Sequence, residues 1–587
     1  MAGLKLGNVQ VKGNRIQVRC LFKYKDDCKA ITGARWNSTD KCWEYPVSPA
    51  SAYNIAETLG KAGALPNLEL DSQFVAYVKE FENTLTVGAA IKQADDLPEI
   101  PCTATQAWLH QKRAYYFAYP MSAVMLPMWM GTGKSKVAID LIVNRGHMRS
   151  IILAPLSVVK DVWPRQFRTH AGKRVHVAAL WAGSVADKAR QAKQALDYGK
   201  ATNTPVVIVV NYESAWRAPF GPCYDEAGKI IDNGFALTQQ WDCAILDESH
   251  RIKSPGGTWS WFCTKLGDCA KQRICLTGTP MPHSPLDVYA QYRFLDKGIF
   301  GTSYNAFRQQ YAEMGGYHSK QVRSYKNLED LNRKFYSIAF FVPKGTIELP
   351  PWLPTTRACR LDPATMRAYK QLEDSFVAEV KGGKVTVTNA LTKLLRLQQV
   401  TSGYTVLDDE EGNANAKPKI TRLGTEKKDL LADVLEDLAI DEPVVIFARF
   451  WPDLDNIREV CEKQGRRVAE LSGRMNQLAD WQDGKYDAIV IQIQAGGVGI
   501  DLTRSRYCLY YSLGFSLGDY EQSMARVDRP GQLREGYYIH LIAEGTVDEK
   551  VYEALAKRKR VVEWVLEGIN QIGNIKADLI EERKAGN

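Results

Sequence analysis

The chain has 587 residues, too many for one hydrophobic core, so three to five domains are expected. At 45% hydrophobic and 24% charged its composition is ordinary for a globular protein. No apolar run approaches a membrane span, and Met1 to Gly13 lacks the apolar centre of a secretory signal. The formal charge of +9 suits a polyanionic partner without requiring one. The 12 cysteines are scattered without a C-x-x-C pair, and the regular spacing of Cys263, Cys269 and Cys275 makes no recognisable zinc site. Reduced thiols in a cytosolic or nuclear compartment follow.

In chain order, residues 1–60 read as a small α+β unit. Val9, Val11, Ile16, Val18, Cys20 and Phe22 alternate about Gly13-Asn14, predicting a hairpin. A short helix over Asp26 to Ile31 follows, then a second hairpin across Asn37 to Asp40 and a helix from Pro49 to Leu59. Trp36 and Trp43 read either as core anchors or, beside Lys23, Lys25, Lys29, Arg35 and Lys41, as a nucleic-acid contact. Residues 61–100 read as a helical connector ending in the acidic, proline-marked stretch Asp95 to Pro101. A helix carrying Leu109, His110 and Gln111 comes next.

Val124 to Asp140 (VMLPMWMGTGKSKVAID) reads as strand, glycine loop, helix. Gly131 and Gly133, on either side of Thr132, allow a tight turn whose N–H groups face a phosphate at a helix N-terminus. Lys134 would reach the β- and γ-phosphates and Ser135 would hold Mg²⁺. Met128 stands where the looser phosphate-loop pattern has glycine.

Alternating apolar strands and helices then predict a parallel sheet, with strands at 150–154, 205–210, 242–246 and 273–276. The third strand ends in Asp247-Glu248-Ser249-His250. An acidic pair there can hold Mg²⁺ (Asp247) and activate a water (Glu248). The next strand ends in Leu276-Thr277-Gly278-Thr279-Pro280.

Residues 299–424 read as helical protrusions and a linker, with a boundary at Leu349-Pro350-Pro351, long helices at 364–380 and 389–399, and a polar loop at 408–418. A second α/β region begins near Lys427, with strands at 444–447, 468–471, 488–492, 507–511 and 538–542. It contains the glycine-rich Gln494 to Thr503 and then Gln522 to Gln532, whose Arg526 and Arg529, at i and i+3, are expected on one helix face. Such arginines neutralise charge on a transferred phosphoryl group. The basic run Lys557 to Arg560 falls in a helical pattern, and 561–587 is read as a helix or tail.

The ordered blocks MGTGKS (130–135), LAPLSVV (153–159), NYES (211–214), DESH (247–250), LTGTP (276–280), VVIFARF (444–450), QAGGVGIDLT (494–503) and QSMARVDRPGQ (522–532), with Gln111 ahead of them, resemble the superfamily-two helicases, and among them the Swi/Snf-type duplex DNA translocases. Asp528 stands where that family commonly has His, and His283 where it has Asn. Gly33 to Trp36 with Trp43 to Pro46 resembles the HARP-type module of annealing helicases.

The Swi/Snf resemblance implies an α/β fold of two tandem RecA-like parallel-sheet lobes with helical insertions, here behind the small N-terminal α+β domain. Lobe one would span 101–298 and lobe two 425–560. It implies DNA-dependent ATP hydrolysis with Mg²⁺. Lys134, Asp247, Glu248, Arg526 and Arg529 would be catalytic, and Ser135 and Asp247 would hold the metal. Gln111, reading adenine, would line the nucleotide site with Gly131, Thr132, Gly133, Gly499 and Asp501. DNA would lie against loops around Pro155, Ser157, Asn211 and Thr503. The expectation is a DNA translocase or remodeller on duplex or branched DNA, cytoplasmic in a bacterium or virus-infected cell and nuclear in a eukaryote. The rivals are a strand-separating helicase, an annealing scaffold with an ATP clamp, and a small-molecule kinase, the last disfavoured because it would not need a second lobe.

Overall fold

The computed structural model describes residues 7–315, 321–381, 387–407, 419–494 and 500–567. The expected polar loop at 408–418 and the tail beyond 567 lie outside the described residues. The chain divides into two compact units, 1–346 and 347–560, with the terminal residues from 561 assigned to the first.

The first unit opens with a five-stranded sheet. Strands β1 (Gly7–Lys12) and β2 (Arg15–Arg19) form the hairpin about Gly13, and β3 (Arg35–Asn37) pairs with β4 (Cys42–Pro46). Helices α1 (Lys25–Ala30) and α2 (Pro49–Lys61) supply Cys28, Ile55 and Leu59 to a core around Val9, Ile16, Val18 and Tyr45. Ser48 caps α2 by accepting the Ser51 N–H at 3.0 Å, and Pro49 at the first helical position needs no donor there.

The boundary expected at residue 60 moves outward. Strand β5 (Leu68–Leu70) joins the sheet parallel to β1, and Leu68 and Phe74 are buried in the same core. A three-residue strand is too short to show alternation, so the sequence hides it. The region expected as a connector is mostly the helix α3 (Ser72–Gln93). It packs on α4 (Leu109–Ala118): a Cβ at Gly88 would come within 2.8 Å of the Phe117 ring, and Lys92 Nζ lies 4.7 Å from that ring's centre.

The larger sheet of this unit contains β6 (Ala123–Pro127), β7 (Arg149–Ala154), β8 (His176–Leu180), β9 (Val206–Asn211), β12 (Trp241–Asp247) and β13 (Ala270–Thr277), in the order β6-β13-β12-β7-β9-β8 and parallel throughout. A small hairpin, β10 (Cys223–Tyr224) with β11 (Ile230–Asp232), lies between β9 and β12. Helices α5 (Lys134–Asn144), α6 (Leu156–Val159), α7 (Val162–Ala171) and α8 (Val185–Thr202) follow the first three strands. Because both faces are covered, β6, β9 and β12 are almost wholly buried. The edge strand β8 is half-exposed and polar enough to escape the sequence pattern.

After a hairpin of β14 (Ala312–Gly315) and β15 (Gln321–Tyr325), the chain returns to the sheet. Met125 N–H donates to Ile338 O at 2.8 Å and Val342 N–H to Pro127 O at 3.0 Å, so residues 338–342 run beside β6.

The second unit repeats the topology. Strands β16 (Trp352–Cys359), β19 (Val444–Ala448), β20 (Val468–Leu471), β21 (Ala488–Gln492), β22 (Tyr507–Tyr510) and β23 (Gly536–Ala543) run in the order β16-β23-β22-β19-β21-β20, again parallel. Numbered by appearance, both sheets read 1-6-5-2-4-3. The pair β17 (Tyr404–Leu407) and β18 (Lys419–Arg422) forms a separate antiparallel ribbon.

The second lobe therefore begins near Trp352 rather than at 425. The segment expected as linker contributes its first strand, which is exposed along most of its length and contains Pro354, as an edge strand can. Trp352 stacks on Tyr538 with ring centroids 4.7 Å apart. The helices expected at 364–380 and 389–399 are present as Pro363–Lys381 and Val387–Thr401.

Candidate functional site

Parallel strands bring all their carboxyl ends to one edge, so the larger sheet of the first unit gathers the loops after β6, β13, β12, β7 and β9 side by side. The loop after β6 is held by its glycines: Gly131 has φ 81° and Gly133 φ 87°, both left-handed. A Cβ at Gly133 would sit 2.2 Å from Gln111 Nε2, so the close approach requires glycine there. Gly133 caps α5, and Lys134 and Ser135 open its first turn, where free N–H groups favour an anion. Thr132 is buried, its hydroxyl donating to Trp129 O at 2.6 Å. Met128 is also buried, and its N–H donates to Thr277 O at 3.1 Å, which ties the loop to the neighbouring strand.

Gln111 supports the loop as well as being the residue expected at the base. It is buried, its Nε2 donates to Thr132 O at 3.0 Å, and its Oε1 accepts the Trp108 N–H at 3.0 Å. His110 Nε2 also lies 2.8 Å from Thr132 O. Gln111 thus braces the phosphate loop from behind, leaving one amide hydrogen and one lone pair for a base.

Two strands away stands the acidic pair. Asp247 ends β12, and Glu248 has φ 51° and ψ 54°, a left-handed conformation that costs a non-glycine residue about 1–3 kcal/mol and clusters at working sites. Both are buried. Burial and the neighbouring Glu248 charge raise the Asp247 carboxyl above the usual carboxylate range, and Lys134 pulls it back. Trp163 Nε1 donates to Asp247 Oδ2 at 3.0 Å, and the Tyr212 hydroxyl to the Asp247 carbonyl at 2.8 Å.

Glu248 Oε2 takes no hydrogen bond among the described residues. His250 Nδ1 approaches it to 3.4 Å, but burial pushes the imidazole down to about 4, so at neutral pH this is a dipolar contact rather than an ion pair. The same nitrogen lies 3.0 Å from Thr277 Oγ1, and Ser249 Oγ donates to Gln291 Oε1 while Gln291 Nε2 donates to Pro280 O. DESH and LTGTP are thereby linked through side chains. The cradle around Gly131 and Gly133, the Lys134 charge, the metal-competent Asp247 and Ser135, and an unsatisfied buried carboxylate oxygen together fit a nucleoside triphosphate with Mg²⁺.

The expected polymer contacts divide. Ser157 is exposed in the short helix after β7, while Pro155, which caps it, is buried. Asn211 stands at the end of β9. It is buried, with Oδ1 accepting from Lys188 Nζ at 3.0 Å and Nδ2 donating to Glu213 at 2.8 Å. Its amide organises the edge instead of facing outward, because an unpaired lysine could not be buried there without an acceptor.

In the second unit, Arg526 lies buried in the last turn of the helix Leu517–Val527. Arg529 does not share its helix face, contrary to expectation. Asp528 leaves the helical region (φ −90°, ψ 79°), Arg529 is held off the helical region as the residue before Pro530, and Arg529 Nη1 donates to Ile500 O at 3.0 Å. Leu502 N–H donates to Arg526 O, and Gln532 Nε2 to the carbonyls of Thr503 and Ser505. Asp501 is exposed and accepts the N–H and hydroxyl of Thr503 at 2.9 and 2.7 Å. Gly499 lies outside the described residues.

The doubled sheet, with a phosphate loop and an acidic pair in the first copy and arginines in the second, defines a helicase-type, DNA-dependent ATPase. The SNF2-related domain matches residues 37–404 and the helicase conserved C-terminal domain residues 426–531. The chain belongs to the SNF2-related family. It is 25% identical over 477 residues to protein p41 of Acyrthosiphon pisum secondary endosymbiont phage 1, covering 76% of this chain and 95% of that protein. It is 23% identical over 483 residues to the DNA repair and recombination protein RAD54B of Gallus gallus, covering 72% and 49%. The chain thus spans about half the length of that relative. Among solved structures, the Sulfolobus solfataricus SWI2/SNF2 ATPase core in complex with dsDNA is similar at 21% identity and a TM-score of 0.36, covering 80% of this chain and 94% of that one. No helix among the described residues is long and apolar enough to cross a membrane.

Proposed function

We propose that this chain is an ATP-driven translocase that moves on duplex or branched DNA and remodels it without processive strand separation. The observation that carries the reading is the acidic pair, in which a buried Glu248, whose Oε2 accepts no hydrogen bond among the described residues, stands beside Asp247 at one sheet edge with the phosphate loop. Such a carboxylate suits accepting a proton from an attacking water; a site that only clamped nucleotide would not need it.

In this reading Lys134 and the loop N–H groups bind and orient the β- and γ-phosphates. Asp247 and Ser135 would hold Mg²⁺, which when bound neutralises charge shared between those phosphates. Glu248 orients the water and takes its proton. Arg526 and Arg529 would neutralise charge on the transferred phosphoryl group, and Asp501 and Gly499 are assigned to nucleotide binding. Polymer contacts come from the loops around Pro155, Ser157, Asn211 and Thr503, through phosphates and so without sequence preference.

The N-terminal sheet supplies a second contact, for branched DNA. Phe22 is 82% exposed and Trp36 51%, and with Lys25, Lys29 and Lys41 they rim a cavity of about 500 Å³. Aromatic faces beside ammonium groups suit unpaired bases.

One protein preparation tests the reading against its rivals. Triplex displacement, plain-duplex unwinding and four-way-junction migration are measured with ATP. Displacement and migration without plain-duplex unwinding are expected, because each melted step forfeits about 1.4 kcal/mol of stacking while a junction remakes the pairs it breaks. Efficient unwinding without displacement would establish the strand-separating helicase instead, and turnover too slow to drive either would favour the clamp.

A further inference from the structure

Trp163 is the side-chain donor to the Asp247 carboxylate, across 84 positions of sequence, at 3.0 Å. It is one of the most completely buried large side chains of the protein, 1% exposed, and Asp247 is 5% exposed. An indole N–H can donate but cannot accept a proton, ligate a metal or carry charge. Lysine or arginine in its place would fix the carboxylate and also neutralise it.

The surroundings make this contact more than the satisfaction of a buried donor. Trp163 lies in the first turn of α7, which packs against α5, the helix that begins with Lys134 and Ser135. Its ring centroid is 6.0 Å from that of Phe167, one turn further on. The ring is therefore held by the helix next to the phosphate loop, and its N–H fixes one carboxylate oxygen of the residue that faces that loop. The Tyr212 hydroxyl holds the same residue by its main-chain carbonyl, so the side chain and backbone of Asp247 are fixed independently.

We propose that Trp163 is a positioning residue for the Mg²⁺ site: its neutral N–H holds one oxygen of Asp247, leaving the carboxylate its charge and the other oxygen to the nucleotide-bound metal. This rests on the reading of Asp247 as a metal-holding residue. Outer-shell donors of this kind act by aiming the ligand, and their removal weakens metal affinity or activity about 10–100-fold.

The test uses the full chain and a non-hydrolysable ATP analogue whose binding is followed by calorimetry, once during Mg²⁺ titration and once in excess chelator. Two variants are compared with the parent: Trp163→Phe, and replacement of Trp163 by benzothienylalanine, which keeps the bicyclic shape and substitutes sulfur for the N–H. Both are expected to require about 10–100-fold more Mg²⁺ for half-saturation while retaining the parent's metal-free affinity for the analogue. A ring that merely fills space would leave the benzothienyl variant with the parent's Mg²⁺ midpoint, and that result overturns the inference even if Trp163→Phe fails to fold. An equal loss of affinity with and without metal also overturns it, since that would be general damage to the pocket. If the parent itself binds the analogue without regard to Mg²⁺, the underlying assignment of Asp247 falls, and the inference with it.

Discussion

The two large sheets share one strand order and differ almost entirely in what stands at their carboxyl ends. After its first strand the first unit has Gly131 to Ser135; after the matching strand β16 the second has Arg360-Leu361-Asp362, where Asp362 caps a long helix by accepting the Thr365 N–H at 2.9 Å. After its fifth strand the first unit has Asp247-Glu248; after β22 the second has Tyr511-Ser512. Topology is set by continuous apolar strands that both copies keep. Chemistry is set by a few loop residues that each copy chooses for itself.

Substitutions that separate the copies sharpen this contrast. Lys134→Ala should abolish DNA-stimulated ATP hydrolysis, since the loop then lacks its cation; parent-like phosphate release would remove Lys134 from the site. In the second copy, Arg526→Ala and Arg529→Ala should each slow turnover by about 10³–10⁵ with nucleotide affinity retained. Normal turnover in both would mean that the second copy contributes no chemistry.

Glu248→Gln keeps the shape and loses the base, so single-turnover hydrolysis should fall about 10²–10⁴-fold while ATP and DNA binding survive. Parent-rate hydrolysis would show that another group handles the proton.

The second copy buries an acid of its own, Asp453, whose carboxyl is pushed up to about 6, chiefly by burial. A raised carboxyl pKa means the folded state binds the proton more tightly than the unfolded chain. The associated stability is present below about pH 4 and is lost as pH rises to about 6. Asp453→Asn, which cannot ionise, should therefore gain about 2–3 kcal/mol relative to the parent between pH 4 and pH 7. Denaturation measured at both pH values checks it, and a pH-independent difference would show that folding does not shift the Asp453 pKa.

Trp36→Ala and Phe22→Ala bear on the N-terminal sheet. Each should weaken binding to forked DNA by about 1–3 kcal/mol per stacked base and leave plain-duplex binding unchanged at matched salt; equal effects on both would refute a branch contact. Asp362→Asn carries the smallest expectation, a slight loss of melting temperature with unaltered turnover, because its position in the second copy corresponds to the phosphate loop but does no chemistry.

The sequence by itself determined the alternating architecture, the phosphate loop and the acidic pair, because these are local. An apolar run followed by GTGKS or DESH carries its geometry in adjacent residues. It also carried the family, through the order of its blocks. Tertiary structure decided what depends on distant partners. Edge strands β8 and β16 lack the apolar signature because one side of each is unpaired among the described residues, and β5 is too short to show a period. The sequence assigned Gln111 and the loop around Asn211 to ligands, and only folding added that their amides also engage Thr132 and Lys188. Trp163 carries no signal in the sequence, since nothing in a linear pattern places its N–H against a carboxylate 84 positions away. A hydrogen bond is fixed by where two atoms meet, and for atoms on separate strands only the packed sheet brings them together.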